Sequence, residues 1–222
     1  MYELVCILKG IQMKILIFHL SDIHLSEERQ IELLHSDKII QTLNSMENAA
    51  DEYIIVISGD VANRGYKNHY LVAQKWIDKF LSQLVEKTGK TASLVIVPGN
   101  HDINFDGFSI DLDKVKDGYN SNRIQDHVLD YISHMNSFYN FALSYKCFDK
   151  EKSIVSKKCV KYDELSIGIV LVNSAPLSLL GGNADDMGYH FLSDDDLQQI
   201  ESLTDCDFNI LVMHHSVVDL IV

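Results

Sequence analysis

The chain has 222 residues, 46% hydrophobic and 23% charged, enough for one substantial domain with its own apolar core. Its 19 basic and 32 acidic residues leave a net charge of −13, which argues against sequence-blind binding of nucleic acid through Lys and Arg, though not against nucleic acid handled through a bound metal. The composition excludes a disordered tail, a collagen-like chain and a disulfide scaffold. Four cysteines without a CxxC pair (Cys6, Cys147, Cys159 and Cys206) read as reduced, mostly packed thiols of a cytoplasmic protein. No apolar run approaches the ~20 residues of a transmembrane helix, so no membrane partner is expected.

Short apolar runs alternate with amphipathic stretches, the pattern of an α/β domain. Residues 1–12 lack the features of a signal peptide, and the phrase that starts at Met13 itself reads as a protein start; they are expected to be an N-terminal extension. Lys14–Leu20 reads as a buried strand. Ser36 reads as an N-cap, with Ile39, Leu43 and Met46 following at helical spacing. Tyr53–Ser58 is a second strand, Asn68–Lys87 a helix ended by Gly89, and Ser93–Val97 a third strand. From about 104 to 152 a helical insertion is expected, its repeat running through Ile124, Val128, Ile132, Met135, Tyr139 and Ala142. Strands return at Lys157–Tyr162, Ser166–Val172 and Phe208–Met213, with a capping-box helix opening at Ser193 before the last of them.

Polar phrases close four of these strands: Asp22-Ile-His24, Gly59-Asp60, Gly99-Asn100-His101-Asp102 and His214-His215. Strand C-terminal ends are where open α/β sheets bind ligands, and carboxylate, imidazole and amide oxygen are donors for hard and borderline metals. An i, i+2 pair on an extended strand points to one side, so Asp22 and His24 are expected to grip one ion together. Asp60 has two oxygens with which to bridge two ions, and Asn100 and His214 suit the second. Taken singly, these phrases are weak: a DxH arises roughly once by chance at this composition, whereas GNHD occurs in only about a few per thousand such chains. Their conjunction, each closing a strand, decides the reading.

Over about residues 13–222 the chain resembles the calcineurin-like metallophosphoesterases, most nearly bacterial phosphodiesterase-type members with SDIHL, SGDVAN and PGNHD. The resemblance implies an α/β (α+β) fold: two facing mixed sheets in a sandwich flanked by helices, with a two-metal site at one end. It assigns Asp22 and His24 to the first divalent ion, Asp60 to both, and Asn100 and His214 to the second. The metal is drawn from Mn, Fe, Zn and Mg, with manganese favoured. A water activated by the two ions would then attack phosphorus. His101 is expected to stabilise the transition state or protonate the leaving oxygen, with Asp102 orienting its ring or only capping the turn. Arg64 lies in Gly-Asp-x-x-Asn-Arg-Gly, which resembles the Gly-Asp-x-x-Asp-Arg-Gly phrase of Ser/Thr protein phosphatases with Asn63 in place of its Asp; it is expected at the phosphate, the alternative being a solvated loop Arg. His215 is expected to line the site or contact substrate, and His19 to be a core histidine or one behind the ligands.

One departure matters. The family's Gly-His-x-His phrase is absent and the chain stops at Val222, so the domain is expected to be C-terminally incomplete, with further ligands or a further domain beyond. The function expected is a metal-dependent phosphoesterase, most readily a phosphodiesterase acting on a small phosphodiester or nucleotide. The alternatives are an SbcD-like DNA nuclease and a binding module that keeps the fold without catalysis. The acidic charge favours the small substrate over DNA.

Overall fold

Glu52–Ser58 (β3) and Ala92–Val97 (β4) are rich in aliphatic and β-branched residues, the composition of strands covered on both faces, and Ile11–Leu20 (β2) is apolar apart from Gln12, Lys14 and His19. In the computed structural model they lie parallel, in the order β2-β3-β4. The structure describes residues 2–8, 11–27, 38, 41, 50–109, 111, 113, 115, 124–148, 152–163, 165–179, 190–202 and 205–221. Tyr2–Leu8 (β1) pairs antiparallel with β2 as the edge strand. Within residues 1–12, expected to be an N-terminal extension, Tyr2–Leu8 thus add a strand to the sheet. Of the helix expected after Ser36, Lys38 and Gln41 are described and helical; the rest lies outside the described residues.

The β3–β4 crossover is a 22-residue helix, Lys67–Thr88 (α1), closed by Gly89, whose N–H donates to the Val85 carbonyl. Tyr70, Ala73, Trp76, Ile77, Phe80 and Leu84 form its buried stripe. Trp76 stacks on Phe80 at 5.7 Å, and Phe80 meets Phe18 of β2 edge-on at 6.1 Å. Burying each of these large side chains contributes about 1.5–3 kcal/mol, which is what clamps the crossover on the sheet and holds the loops at its ends.

The helical repeat of the insertion is divided between two helices, Ile124–Ser133 (α2) and Asn136–Ser144 (α3). At the break, His134 N–H donates to Tyr131 O and Met135 N–H to Ile132 O, both at 3.0 Å. These i−3 bonds tighten the last turn and carry the stripe across the joint, so all six residues of the repeat are buried. The insertion leans on α1 through Tyr70, which packs against Phe141 at 5.1 Å and Phe138 at 6.3 Å.

A second sheet has the order β5-β6-β8, from Val155–Tyr162 (β5), Leu165–Val172 (β6) and Phe208–Val212 (β8). β5 and β6 are antiparallel, and β8 is parallel to β6. The helix before β8, Asp194–Glu201 (α4), opens with the reciprocal cap expected at Ser193: Asp196 N–H donates to Ser193 Oγ, and Ser193 N–H to the Asp196 carboxylate. His190–Phe191 (β7) and Leu220–Ile221 (β9) form a two-residue parallel ladder that the sequence reading did not anticipate. The two main sheets meet at β4 and β6 and share one core. The fold is thus a mixed α/β sandwich with four helices among the described residues, and none of these is long and apolar enough to cross a membrane.

Candidate metal centre

Because β2, β3 and β4 are parallel and in register, the loops that follow them open on one edge of the sheet. Backbone hydrogen bonds join the first two loops: Asp22 N–H to Gly59 O at 3.2 Å, His24 N–H to Asp60 O at 2.8 Å and Leu25 N–H to Val61 O at 2.9 Å. Asp22, His24 and Asp60 all take left-handed backbone conformations, with φ of 57°, 51° and 52°. Asp and His tolerate this region better than most residues, yet it still costs about 1–3 kcal/mol per residue, a cost that such loop pairing sustains.

The same φ values take Asp22 and His24 out of extended chain. The i, i+2 rule holds for extended chain, but β2 ends at Leu20 and both residues are left-handed. The side chains group on different partners. Asp22, Asp60 and His214 bring one donor atom each within 4.8 Å of one another, and so do His24, Asp60 and His101. Asp60, 2% exposed, is the member common to both groups. Its Oδ1 accepts the His101 backbone N–H at 2.9 Å, while its Oδ2 lies 3.7 Å from His24 Nε2 and 3.7 Å from His214 Nε2. Those separations are too long for hydrogen bonds but suit donors that share an ion through bonds of about 2.0–2.2 Å.

His214 comes from the other sheet, and its ring is set by the first one: Nδ1–H donates to the Ser58 carbonyl at 2.7 Å, which leaves Nε2 toward Asp60. Two glycines make room for this approach. A Cβ at Gly59, which also has φ of 102°, would overlap the His214 imidazole; one at Gly99 would overlap the Asp60 carboxylate. Asn100 donates its amide N–H to the Leu179 carbonyl at 3.0 Å, leaving the amide oxygen as its acceptor end.

His101 and Asp102 are neighbours with separate tasks. The His101 ring donates from Nδ1 to the Asn63 carbonyl at 2.9 Å, and its centroid lies 4.5 Å from that of His24. Asp102 does not orient it. The fully buried Asp102 carboxylate accepts from the backbone N–H groups of Val61, Ala62 and Gly99 and, at 2.8 Å, from Tyr70 Oη. It ties the two loops to α1, which is the capping alternative on a larger scale. Burial, and then the charge of Asp60, push this carboxyl up to about 6.

A family model for calcineurin-like phosphoesterases matches residues 15–219. The chain belongs to the calcineurin-like phosphoesterase family. Comparison with curated proteins finds no match. Divalent metal ions go with a calcineurin-like phosphoesterase, and the donor set here fits them. Two converging groups share one carboxylate, one imidazole is fixed with Nε2 inward, and neighbouring buried carboxylates call for positive charge.

Around this centre the phosphoesterase places the remaining expected residues unequally. His215 stacks on buried His190 at 3.9 Å and bonds Ser174 Oγ at 3.1 Å. Burial, His190 and then His214 push its pKa down to about 2, so it is neutral. Arg64 is exposed, one residue beyond Asn63, in the loop that supports His101. His19 is exposed rather than in the core, because the face of β2 that carries Ile17 and His19 looks into an open groove of 470 Å³ against β8; its Nε2 bonds Ser58 Oγ at 2.6 Å. Sequence reasoning missed Ser58, Asn63, Tyr70, Ser174 and His190. The carbonyls of Ser58 and Asn63 have no side-chain signature, and only Tyr70, a polar tip within a buried stripe, offered a signal.

Proposed function

We propose that this chain hydrolyses phosphodiesters, a small phosphodiester or nucleotide rather than DNA, in the cytoplasm. The observation that carries the reading is Asp60 Oδ2 set 3.7 Å from each of two imidazole Nε2 atoms that arrive from different sheets. Asp22, His24, Asp60, Asn100 and His214 would hold two divalent ions, manganese favoured. Such ions would supply Lewis acidity to phosphoryl oxygens and lower the pKa of a water toward neutral pH. The chain's own groups do the rest. His101, its Nδ1–H fixed on Asn63, directs Nε2 into the site and delivers a proton to the leaving oxygen. Asp102 and Tyr70 hold the loop that aims it. His215, neutral and stacked, shapes the wall beside His214, and Arg64 receives the outer phosphate oxygens. The net charge of −13 supports a small substrate, since a DNA enzyme gains affinity from basic surface.

The test is hydrolysis of bis(p-nitrophenyl) phosphate with Mn²⁺ by the wild type and Asp60→Ala, with circular dichroism to confirm that the variant folds. Turnover at least about 10³-fold lower in a folded variant is expected. No turnover by the wild type with Mn, Fe, Zn or Mg would reject catalysis. Faster release from p-nitrophenyl phosphate would move the substrate to monoesters, and nicking of plasmid DNA would move it to a nuclease.

A further inference from the structure

Two thiols far from the metal centre lie against each other. Cys159 of β5 is exposed, Cys206 in the α4–β8 connection is half-buried, and their Sγ atoms are 2.6 Å apart. That is well inside non-bonded contact and above the ~2.05 Å of a disulfide. Against the expectation of reduced, mostly packed thiols, Cys147, Cys159 and Cys206 are all free; Cys147 is buried, Cys206 half-buried and Cys159 exposed. We propose that Cys159 and Cys206 are a modification site, closing a reversible disulfide with two-electron oxidants of the hydroperoxide class.

The surroundings hold the pair in place. Lys157 and Cys159 are two apart on β5 and so share a face. Lys157 Nζ donates to the Ser202 carbonyl at 2.9 Å and to Ser202 Oγ at 2.7 Å, at the end of α4. On the other side of Cys206, Asp207 accepts both the backbone N–H and the Oγ–H of Ser166 on β6, each at 2.8 Å. The connection is thus pinned to the sheet on both sides of Cys206, and closure requires little loss of backbone freedom. The contact with Cys206 raises the Cys159 pKa, and either sulfur of the pair can be the donor in that contact.

The thiolate of one cysteine attacks one peroxide oxygen; the O–O bond breaks, that cysteine becomes a sulfenic acid, and the other oxygen leaves as water after taking a proton. The sulfur of the second cysteine then attacks the sulfenic sulfur, the S–S bond forms, and the sulfenic oxygen leaves with the second thiol's proton as a second water. Two thiols supply the two electrons, and the peroxide accepts them.

The experiment treats the folded chain with hydrogen peroxide, unfolds it in N-ethylmaleimide, and measures intact mass and peptides. Expected are a monomer lighter by two hydrogens, two fewer alkylated thiols, a Cys159–Cys206 cross-linked peptide and full reversal by dithiothreitol. Cys159→Ser, a near-isosteric change at an exposed position, should lose the cross-link. Oxygen addition without cross-linking, disulfide-linked dimers, or the same loss of two hydrogens in Cys159→Ser would each overturn the proposal.

Discussion

The two sheets serve the metal centre differently. In the first, three parallel strands end in loops bonded to one another, with left-handed residues, obligate glycines and a buried carboxylate holding the bends. In the second, β8 is an edge strand among the described residues, Leu211 within it is 46% exposed, and the strand delivers His214 without a tight loop of its own. What orients His214 is the Ser58 carbonyl of the opposite sheet. The first sheet is therefore a preformed half-site, while the second supplies a donor that becomes correct only on docking. Geometry at such a centre is as good as the fit between the halves, and the halves touch at Gly59 and Gly99.

The most direct way to break that fit is Gly99→Ala, which puts a methyl into the Asp60 carboxylate without demanding a left-handed backbone. It should lower metal-dependent turnover by about 100-fold or more and weaken Mn²⁺ binding measured by calorimetry. Next, His101→Gln removes a group of the rigid half that we read as a proton donor rather than a ligand. The expected result is a kcat lower by roughly 10²-fold with Mn²⁺ affinity unchanged; affinity falling in step would make His101 a ligand instead.

Asp102→Asn tests whether the rigidity of the first half is built in. An amide cannot accept from all four donors, so a loss of about 2–4 kcal/mol is expected, read as a fall in melting temperature. Its pH signature is specific. The folded carboxyl titrates near 6 against 3.8 as its ordinary value, so its contribution to stability is fully present below 3.8 and is lost as pH rises through about 6. Between pH 4 and 7 the metal-free wild type should lose stability relative to the variant, and a parallel course would disprove the shift. The smallest effect is expected at His215→Phe, which keeps the stack on His190 and removes a ring already neutral. KM should change by only a few-fold, with the pH profile of turnover unmoved.

The donors were legible in the sequence because each follows a strand that reads as a short, mainly apolar run: Leu20 before Asp22, Ser58 before Asp60, Val97 before Asn100. Their grouping was not. It depends on the φ of Asp22 and His24, which residue type permits but does not dictate. The support of His101 escaped for a related reason: proximity in GNHD suggested Asp102, whereas the chain folds Asn63 under the ring. β7 and β9, two residues each, are too short to show a period, and the Cys159–Cys206 contact joins positions 47 apart that no local pattern connects.

The close approach of Asp60, Gly59, Gly99 and His214 also limits how this site can change by descent. A side chain at either glycine collides with a donor that the other sheet or loop has already positioned, and relief would require that donor to move or be replaced in the same step. Single-residue walks away from this centre run downhill in fitness at once. New donor sets are therefore reached by coupled replacements.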